Sequence, residues 1–516
     1  MRFRVLLGAA LLAGCTVGPH YVQPQIPTPP TFAEADPARR GAGDAARWWL
    51  GLNDPVLTGL IERGLAQNLD LAAAASRVRE ARLMVRQQRS GLFPTVNAIA
   101  GAQRTRISKN GGFGQIAKAF GSGGGTDSGG TGGGGAPAIG APGSTINTYL
   151  VGFDASWQID LFGGVRRNLQ SATRRAEAEE WNRADSAVSI AAEIADDYYQ
   201  LRILQQREAI ARAELTRERR TLSILQARAR HGLIPATDAT RQLVQISTAE
   251  ATLGPLEVDG RGIVHALGIL VGGTPETLLG AFQLGTAAPP PSLPDFAAVP
   301  AGLPSDLLRR RPDVRRAERD LAAATSDIGV AVADLYPRFT ITAPLQLLST
   351  GLSDLFQGNS VQATVGGSVN FPLLDFGKRR AVIGQRREAE EQAYIAYKQS
   401  VLSALKETED ALARLRIERV RAVTLARGVT AARATIDAVE AQYRFGTTDL
   451  TTVLNAQADL FQAQDNLTQS QGTIRRQTVA LYKALGGGWE ALPPIAGPIA
   501  REGLAQVQPT NARSTR

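Results

Sequence analysis

The sequence predicts a mainly α-helical protein with a transmembrane β part. Three observations carry that prediction: the chain contains itself twice, each copy holds strand-length segments of period-two alternation, and each copy then enters very long helical tracts. At an offset of 214 residues Phe162-Gly163 falls on Phe376-Gly377, Arg166 on Arg380, Glu193 on Glu407 and Asp196 on Asp410. Arg230-x-Gly232 likewise falls on Arg444-x-Gly446, Thr237 on Thr451, and Gly272-Gly273 on Gly486-Gly487. A repeat unit this long is not a solenoid turn, so the chain reads as a duplicated half-protein and one folding account must serve both copies.

The N-terminus comes first in order. Arg2 and Arg4 precede the apolar run Val5–Leu12, and Leu12-Ala13-Gly14-Cys15 follows. That pattern is a secretory signal over residues 1–14 rather than a spanning helix. It also resembles the bacterial lipoprotein cleavage motif, which makes Cys15 the lipid-bearing first residue of the mature chain. Cys15 is the only cysteine, so no intrachain disulfide forms. Thr16 stands where an Asp commonly retains such lipoproteins at the inner membrane, so outer-membrane sorting is expected. Residues 15–45, rich in Pro and Ala, read as a lipidated tether.

The first repeat spans 46–285. A helical pattern runs from Asp54-Pro55 to about Gly91 and stops at Phe93-Pro94, because the residue before a proline is biased out of the helical region. In the second repeat, 305–488, a helical pattern begins at Ser305 or Asp306 and stops at Tyr336-Pro337. Tyr149, Val151, Phe153, Ala155, Trp157 and Ile159 alternate with more polar neighbours, as do Val361, Ala363, Val365, Gly367, Val369 and Phe371. Such alternation marks strands with one apolar face, of the roughly 9–11 residues a membrane-spanning strand needs. Weaker partner strands at 95–103 and 339–348 give two hairpins and four strands per chain. The Gly-rich tract 111–143 has no Gly-Lys-Ser/Thr after it, so it reads as an external loop and not a phosphate cradle.

Long helical tracts follow, as helix pairs over 164–272 and 378–486; no proline occurs from Gly164 to Ile234 or from Leu373 to Leu492. At about 1.5 Å per residue, 164–230 and 378–444 each reach roughly 100 Å. Ala187, Ala191, Ile194, Tyr198 and Leu201 are spaced 4-3-4-3, and so are Val401, Leu405, Thr408, Leu412 and Leu415. Val453, Leu460, Leu467, Ile474 and Leu481 recur every seven residues, the spacing of helices that supercoil together. Ala239, Ile246, Leu253, Gly260 and Leu267 do the same, with a kink expected at Gly254-Pro255. A Pro-rich linker, 286–304, joins the repeats, and 489–516 forms a C-terminal segment and tail.

Composition and motifs narrow the function. Lys and Arg number 57 against 48 Asp and Glu, a net charge of +9. Arg alternates with acids along the same stretches, as in Arg386-Arg387-Glu388-Ala389-Glu390-Glu391, which is a solvated helix surface rather than a nucleic-acid stripe. No nucleic acid, cofactor or metal is expected: His20, His231 and His265 are scattered and form no ligand-spaced cluster. Asp375-Phe376-Gly377 spells a kinase motif, but the catalytic loop and lysine strand that would accompany it are missing. Glu193/Asp196 and Glu407/Asp410 read as helix-face acids. No catalytic residue is assigned, and the protein is not expected to be an enzyme.

Two hairpins leave open edges that lipid does not tolerate, and four strands are too few to close a cylinder. Other copies of the chain must complete the wall, and the helix pairs, far longer than a bilayer of about 30 Å, would extend it as a tube. At this point the residues resemble a known family. Trp48-Trp49-x4-Asp54-Pro55, Arg311-Pro312-Asp313-Val314-Arg315-x-Ala317-Glu318, Asp327-Ile328-Gly329-Val330-Ala331, Phe371-Pro372-Leu373-Leu374-Asp375-Phe376-Gly377 and Tyr482-Lys483-Ala484-Leu485-Gly486-Gly487-Gly488-Trp489 are similar to the TolC-type outer-membrane efflux proteins of the NodT-like lipoprotein branch.

The resemblance implies a homotrimer with a 12-stranded β-barrel continuous with a 12-helix periplasmic α-barrel. An equatorial belt would gather about 40–55, 275–305 and 488–500. It implies a passive exit duct of a tripartite pump, lying in outer-membrane lipid, with a periplasmic adaptor and an inner-membrane RND-type transporter as partners. The helix-helix turns would be the adaptor-contact tips: Arg230, Gly232, Leu233, Arg444, Gly446, Thr447 and Asp449. Gly232 and Gly446 fit positions of left-handed backbone, while Thr237 or Asp238, and Thr448 or Asp449, would cap the returning helices. Related channels carry an acid at the aperture before Ala-Gln, whereas here Asn455 precedes Ala456-Gln457. Arg241, Thr451 and Asn455 are therefore the expected aperture residues, without the usual acidic gate. The rival reading is a non-channel periplasmic coiled-coil lipoprotein, which would lack duplicated strand hairpins.

Overall fold

The computed structural model describes residues 16–35, 46–106, 108, 145–282, 304–495 and 497. The signal peptide with Cys15, the whole Gly-rich tract 111–143, most of the linker and the C-terminal tail lie outside them. The chain forms two compact units that cut across the sequence repeats: Met1–Tyr21, Leu83–Thr173 and Ala323–Glu390 in the first, Val22–Arg82, Arg174–Ala322 and Glu391–Arg516 in the second. The elements in order are α1 (Pro55–Gln67), α2 (Leu69–Ser90), β1 (Thr95–Arg106), β2 (Thr145–Ile159), α3 (Gly164–Arg230), α4 (Ala236–Leu270), α5 (Pro304–Arg310), α6 (Pro312–Ala333), β3 (Arg338–Ser349), β4 (Val361–Ala363), β5 (Gly366–Asn370), α7 (Lys378–Arg444) and α8 (Leu450–Ala484). No described helix is long and apolar enough to cross a membrane.

The sheet of the first unit departs from two separate hairpins. β2 also pairs with β3, so all strands form one antiparallel meander, β1-β2-β3-β4, with β5 pairing further along β3. The last strand, expected unbroken over 361–371, is interrupted at Thr364-Val365. Its partner there is Pro344 of β3, which has no N–H to give; only Thr364 N donates, to the Pro344 carbonyl at 3.1 Å. The register places Phe153 opposite Ala98 and Leu345, Val151 opposite Ala100 and Leu347, and Trp157 opposite Ile341. Leu345 and Leu347 in turn face Ala363 and Val361, and Phe339 faces Val369. One face of the sheet is therefore apolar over most of its length, turning polar at the end of β1, where Arg104 and Arg106 lie opposite Asn147 and Thr145. Asn97, Asp154, Gln158, Thr340, Gln346, Gln362 and Ser368 share the other, which also takes Leu150 and Leu348 opposite one another. This is the alternation a sheet needs between lipid and a water-filled lumen.

Both short helical segments of the repeats break where one helix was expected. The first breaks at Asn68, whose Oδ1 accepts from Asp70 N and Leu71 N at 2.9 and 3.2 Å while its Nδ2 donates to the Leu270 carbonyl. The side chain thus starts a second helix and ties it to the end of α4. The other breaks at Arg311, which precedes Pro312. The long helices α3 and α7 run for 67 residues each with the expected ends. α4 keeps its helical assignment through Pro255, whose ring leaves the Ala251 carbonyl without its usual donor.

The second unit holds the helix bundle and a belt. Ala187, Ala191, Ile194, Tyr198 and Leu201 are all buried, in one core with Trp48, Trp49, Leu278, Phe282 and Val479; Trp489, Ala491 and Leu492 pack on it. The three segments expected at the equator therefore meet through their described parts. Trp48 stacks on Tyr482 at 5.1 Å, and Asp54 caps α1 through Val56 N and Leu57 N while accepting from Tyr198 Oη at 2.7 Å. Those contacts tie the Trp48-Trp49 and Asp54-Pro55 motif to Tyr482 on one side and to Tyr198 of α3 on the other.

Part of the expected tether is docked. In the first unit Val17 N donates to the Phe162 carbonyl, and Arg167 donates to the carbonyls of Val17 and Gly18. In the second, Phe32 and Ile26 are buried. There the Glu409 carboxylate accepts from Ala33 N and Glu34 N at 2.7 and 3.0 Å, and Glu34 pairs with Arg416 at 2.5 Å.

Candidate functional site

The two helix-helix turns are built alike. Gly232 N donates to the Ala229 carbonyl and Leu233 N to the Arg228 carbonyl; Gly446 N and Thr447 N do the same to Tyr443 and Gln442. Each pair closes the last turn of a helix with the C′ residue in left-handed backbone, at φ 69° for Gly232 and 74° for Gly446. A Cβ at either glycine would meet nothing within 4 Å. Arg230 and Arg444 end their helices, where the dipole favours a cation, and both are exposed. Leu233 is 72% exposed and Phe445 85%. At the second turn Asp449 is the N-cap, accepting from Thr452 N at 2.9 Å and Thr452 Oγ1 at 2.6 Å; those bonds hold its carboxyl below the usual range. At the first turn the N-cap is Pro235, with no side-chain bond, and Thr237 and Asp238 lie inside the first turn. Pro235 has the extended ψ of a cap and leaves no place for a side-chain acceptor there.

The structure brings the two tips together through residues that sequence reasoning passed over. The Arg228 guanidinium lies 5.3 Å from the Tyr443 ring centre, a cation–π contact between the last turns of α3 and α7. The only hint in the sequence is that both residues sit within four positions of the matched glycines. Below the tips, Ile436, Val453, Ala456 and Leu460 form a small core between α7 and α8. The predicted aperture residues Arg241, Thr451 and Asn455 are all exposed; none bonds another within one chain. Cys15 lies outside the described residues, but Thr16 packs where a Cβ on Gly163 would sit, 2.7 Å from Thr16 Cγ2.

Ion pairs hold the bundle laterally: Arg207 with Asp465 at 2.6 Å and Arg476 with Asp196 at 2.7 Å. Beside the second pair, burial and then the neighbouring Glu193 and Asp196 push Asp197 up to about 6, against a smaller opposing pull from Arg476. Its folded value lies above the ordinary 3.8, so ionised Asp197 destabilises the fold above about pH 6. The relief grows as pH falls from about 6 towards 4. Asp197→Asn is expected to raise the unfolding temperature near neutral pH and to flatten the pH dependence across that window. Parallel melting curves for variant and parent from pH 4 to 7 would contradict the assignment.

No group of His, Cys, Asp and Glu among the described residues has metal-binding geometry. The comparisons agree with a conduit. The sequence matches the profile described as Outer membrane efflux protein over residues 60–259 and 303–487. It is 30% identical over 493 residues to nodulation protein T of Rhizobium leguminosarum bv. viciae, covering 95% of this chain and 93% of that protein. It is 28% identical over 487 residues to the pyoverdine export outer membrane protein OpmQ of Pseudomonas aeruginosa, covering 94% of this chain and 97% of that protein. The structure superposes on the outer-membrane channel OprN with a TM-score of 0.80 at 30% identity, covering 92% of this chain and all of that one. The tube-and-sheet fold is that of the TolC-type channels, and its place is the outer membrane. A lipid-matched sheet, paired helix turns and a profile match across both repeats lead to one conclusion: this chain belongs to the outer membrane efflux protein family.

Proposed function

We propose that the protein is the outer-membrane exit duct of a tripartite RND-type efflux pump. It works as a passive homotrimer that carries small toxic compounds across the periplasm and outer membrane. Cys15 anchors it by lipid. A periplasmic adaptor docks on the tips at Arg230, Gly232, Leu233, Arg444, Gly446, Thr447 and Asp449, and an inner-membrane transporter supplies the energy. Arg241, Thr451 and Asn455 line the periplasmic aperture. One observation carries this reading: a sheet of five strands, β4 and β5 sharing the last position beside β3, with a largely apolar face and, among the described residues, two unpaired edges, which is stable in lipid only when copies close it. A coiled-coil lipoprotein that forms no channel has no use for such a sheet. Cargo is set by the transporter, in keeping with relatives named for cargoes as different as pyoverdine and toluene.

Deleting the gene is expected to sensitise the cell to several dyes, solvents or antibiotics, and the full chain to restore resistance. A panel on which the deletion strain equals its parent, with the protein shown to be expressed in that parent, contradicts the proposal.

A further inference from the structure

The least covered large apolar side chain among the described residues is Phe376, 92% exposed. It also holds left-handed backbone, at φ 50°, directly before Gly377 at 87°. A bulky aromatic residue in that region is an outlier, and such strain persists where something else in the assembly uses it. The internal repeat indicates what that is. Phe162, the first-repeat equivalent of Phe376, stacks on Tyr336 with ring centres 4.5 Å apart. Tyr336 follows α6 and precedes Pro337 and β3. Its own equivalent is Phe93, which follows α2 and precedes Pro94 and β1. The two turns are built alike: Phe93 N donates to the Ser90 carbonyl and Tyr336 N to the Ala333 carbonyl. Yet Phe93 is 58% exposed, and it lies beside β1, at the opposite edge of the sheet from the strand that Phe376 follows.

We infer that Phe376 seats against Phe93 of a neighbouring copy, repeating between chains the Phe162–Tyr336 stack made within one. The inference rests on the channel reading above and adds the residues and register of its seam. Within the chain, β2 and β3 pair with Ala155 opposite Ala343, Phe153 opposite Leu345 and Trp157 opposite Ile341. Carried over by the repeat, Val369 falls opposite Ala100 of the next copy, Gly367 opposite Ala102 and Phe371 opposite Ala98.

A check independent of the aromatic pair supports this register. Ala98, Ala100 and Ala102 lie on the apolar face of the sheet with Phe153, Val151 and Tyr149, and Gly367 and Val369 lie on that same face with Ile341 and Phe339. A one-residue slip would set apolar against polar along the whole seam. The edges β1 and β5 differ, so the contact is head-to-tail, the kind that closes a ring. Leu373 and Val96, 85% and 63% exposed in the single chain, fall opposite one another in the same register.

The test uses the full lipoprotein in its own outer membrane, where Cys15 is the only native cysteine. Phe93→Cys with Phe376→Cys, bridged by a short bifunctional thiol reagent, is expected to give covalent dimers and trimers, and each single variant none. Ala100→Cys with Val369→Cys is expected to form the same ladder by direct oxidation, since residues opposed in an antiparallel pair lie within disulfide reach. Ala102→Cys with Val369→Cys should yield less than about a tenth as much. A particle of normal trimer mass that gives no ladder from the two matched pairs, or as much from the off-register pair, overturns the seam and leaves the channel reading standing. A particle containing one chain overturns both.

Discussion

Gly446→Glu reduces resistance to that of a strain lacking the gene, while the outer membrane still holds the protein in normal amount. The glycine sits at φ 74° with open space where a Cβ would go. The cost to the fold is therefore only the left-handed strain of a non-glycine residue, about 1–2 kcal/mol. That is small beside the burial along a 67-residue helix. The added carboxylate, however, stands at the C-terminus of α7, where the helix dipole already presents negative charge, on the surface proposed for adaptor docking. Gly232→Glu places the same group at the matched turn and is expected to act alike. Susceptibility assays alongside quantitation of membrane protein read both effects. Full resistance with either variant would remove the tips from the docking surface.

The second large effect is on stability. Arg311 is buried, and its guanidinium donates to Asp313 at 2.6 and 3.0 Å, to Glu407 at 2.7 Å and to the Ala484 carbonyl at 2.9 Å. It thereby joins three elements: the start of α6, the middle of α7 and the last turn of α8. Its own methylenes lie against Gly486. Arg311→Ala loses every one of those bonds and leaves a buried carbonyl and a partly buried carboxylate unpaired. Glu407 is half-exposed and rehydrates, so the loss is nearer about 3 kcal/mol than the upper figure for a fully buried pair. Arg311→Lys keeps the charge and loses the fork, and should recover less than half. Chemical denaturation of the detergent-solubilised protein measures both, and an alanine variant as stable as the parent would contradict the role.

The same residue shows what the sequence makes legible. Arg311-Pro312 was a visible motif, and the residue before a proline is biased out of a helix. The break between α5 and α6 was therefore readable, although the periodicity across it argued for one helix. Asn68 was harder, because its break depends on the distant Leu270 carbonyl as well as on local capping. The long helices were read with their ends because each stops at a glycine that the repeat shows twice, and a positive φ at both confirms the mechanism. The interruption of the last strand was illegible: its cause, Pro344, lies on the partner strand. Docking of the N-terminal segment was equally hidden, since Glu409 and Arg416 are far away in sequence and look like ordinary helix-surface charges.

The site itself was legible as turn chemistry, which is local. The cation–π contact of Arg228 with Tyr443 was not, because only tertiary packing sets which two helix ends meet. Asp196 was read as a helix-face acid, and it faces Arg476; Glu407 was read the same way and holds Arg311.

The central claim is that one chain supplies a third of a hollow wall. The most direct measurement is the protein mass of the purified lipoprotein in detergent, followed by single-channel recording of the same sample in planar bilayers. The account predicts particles of three chains that conduct ions. A water-soluble single chain with no conductance would contradict it.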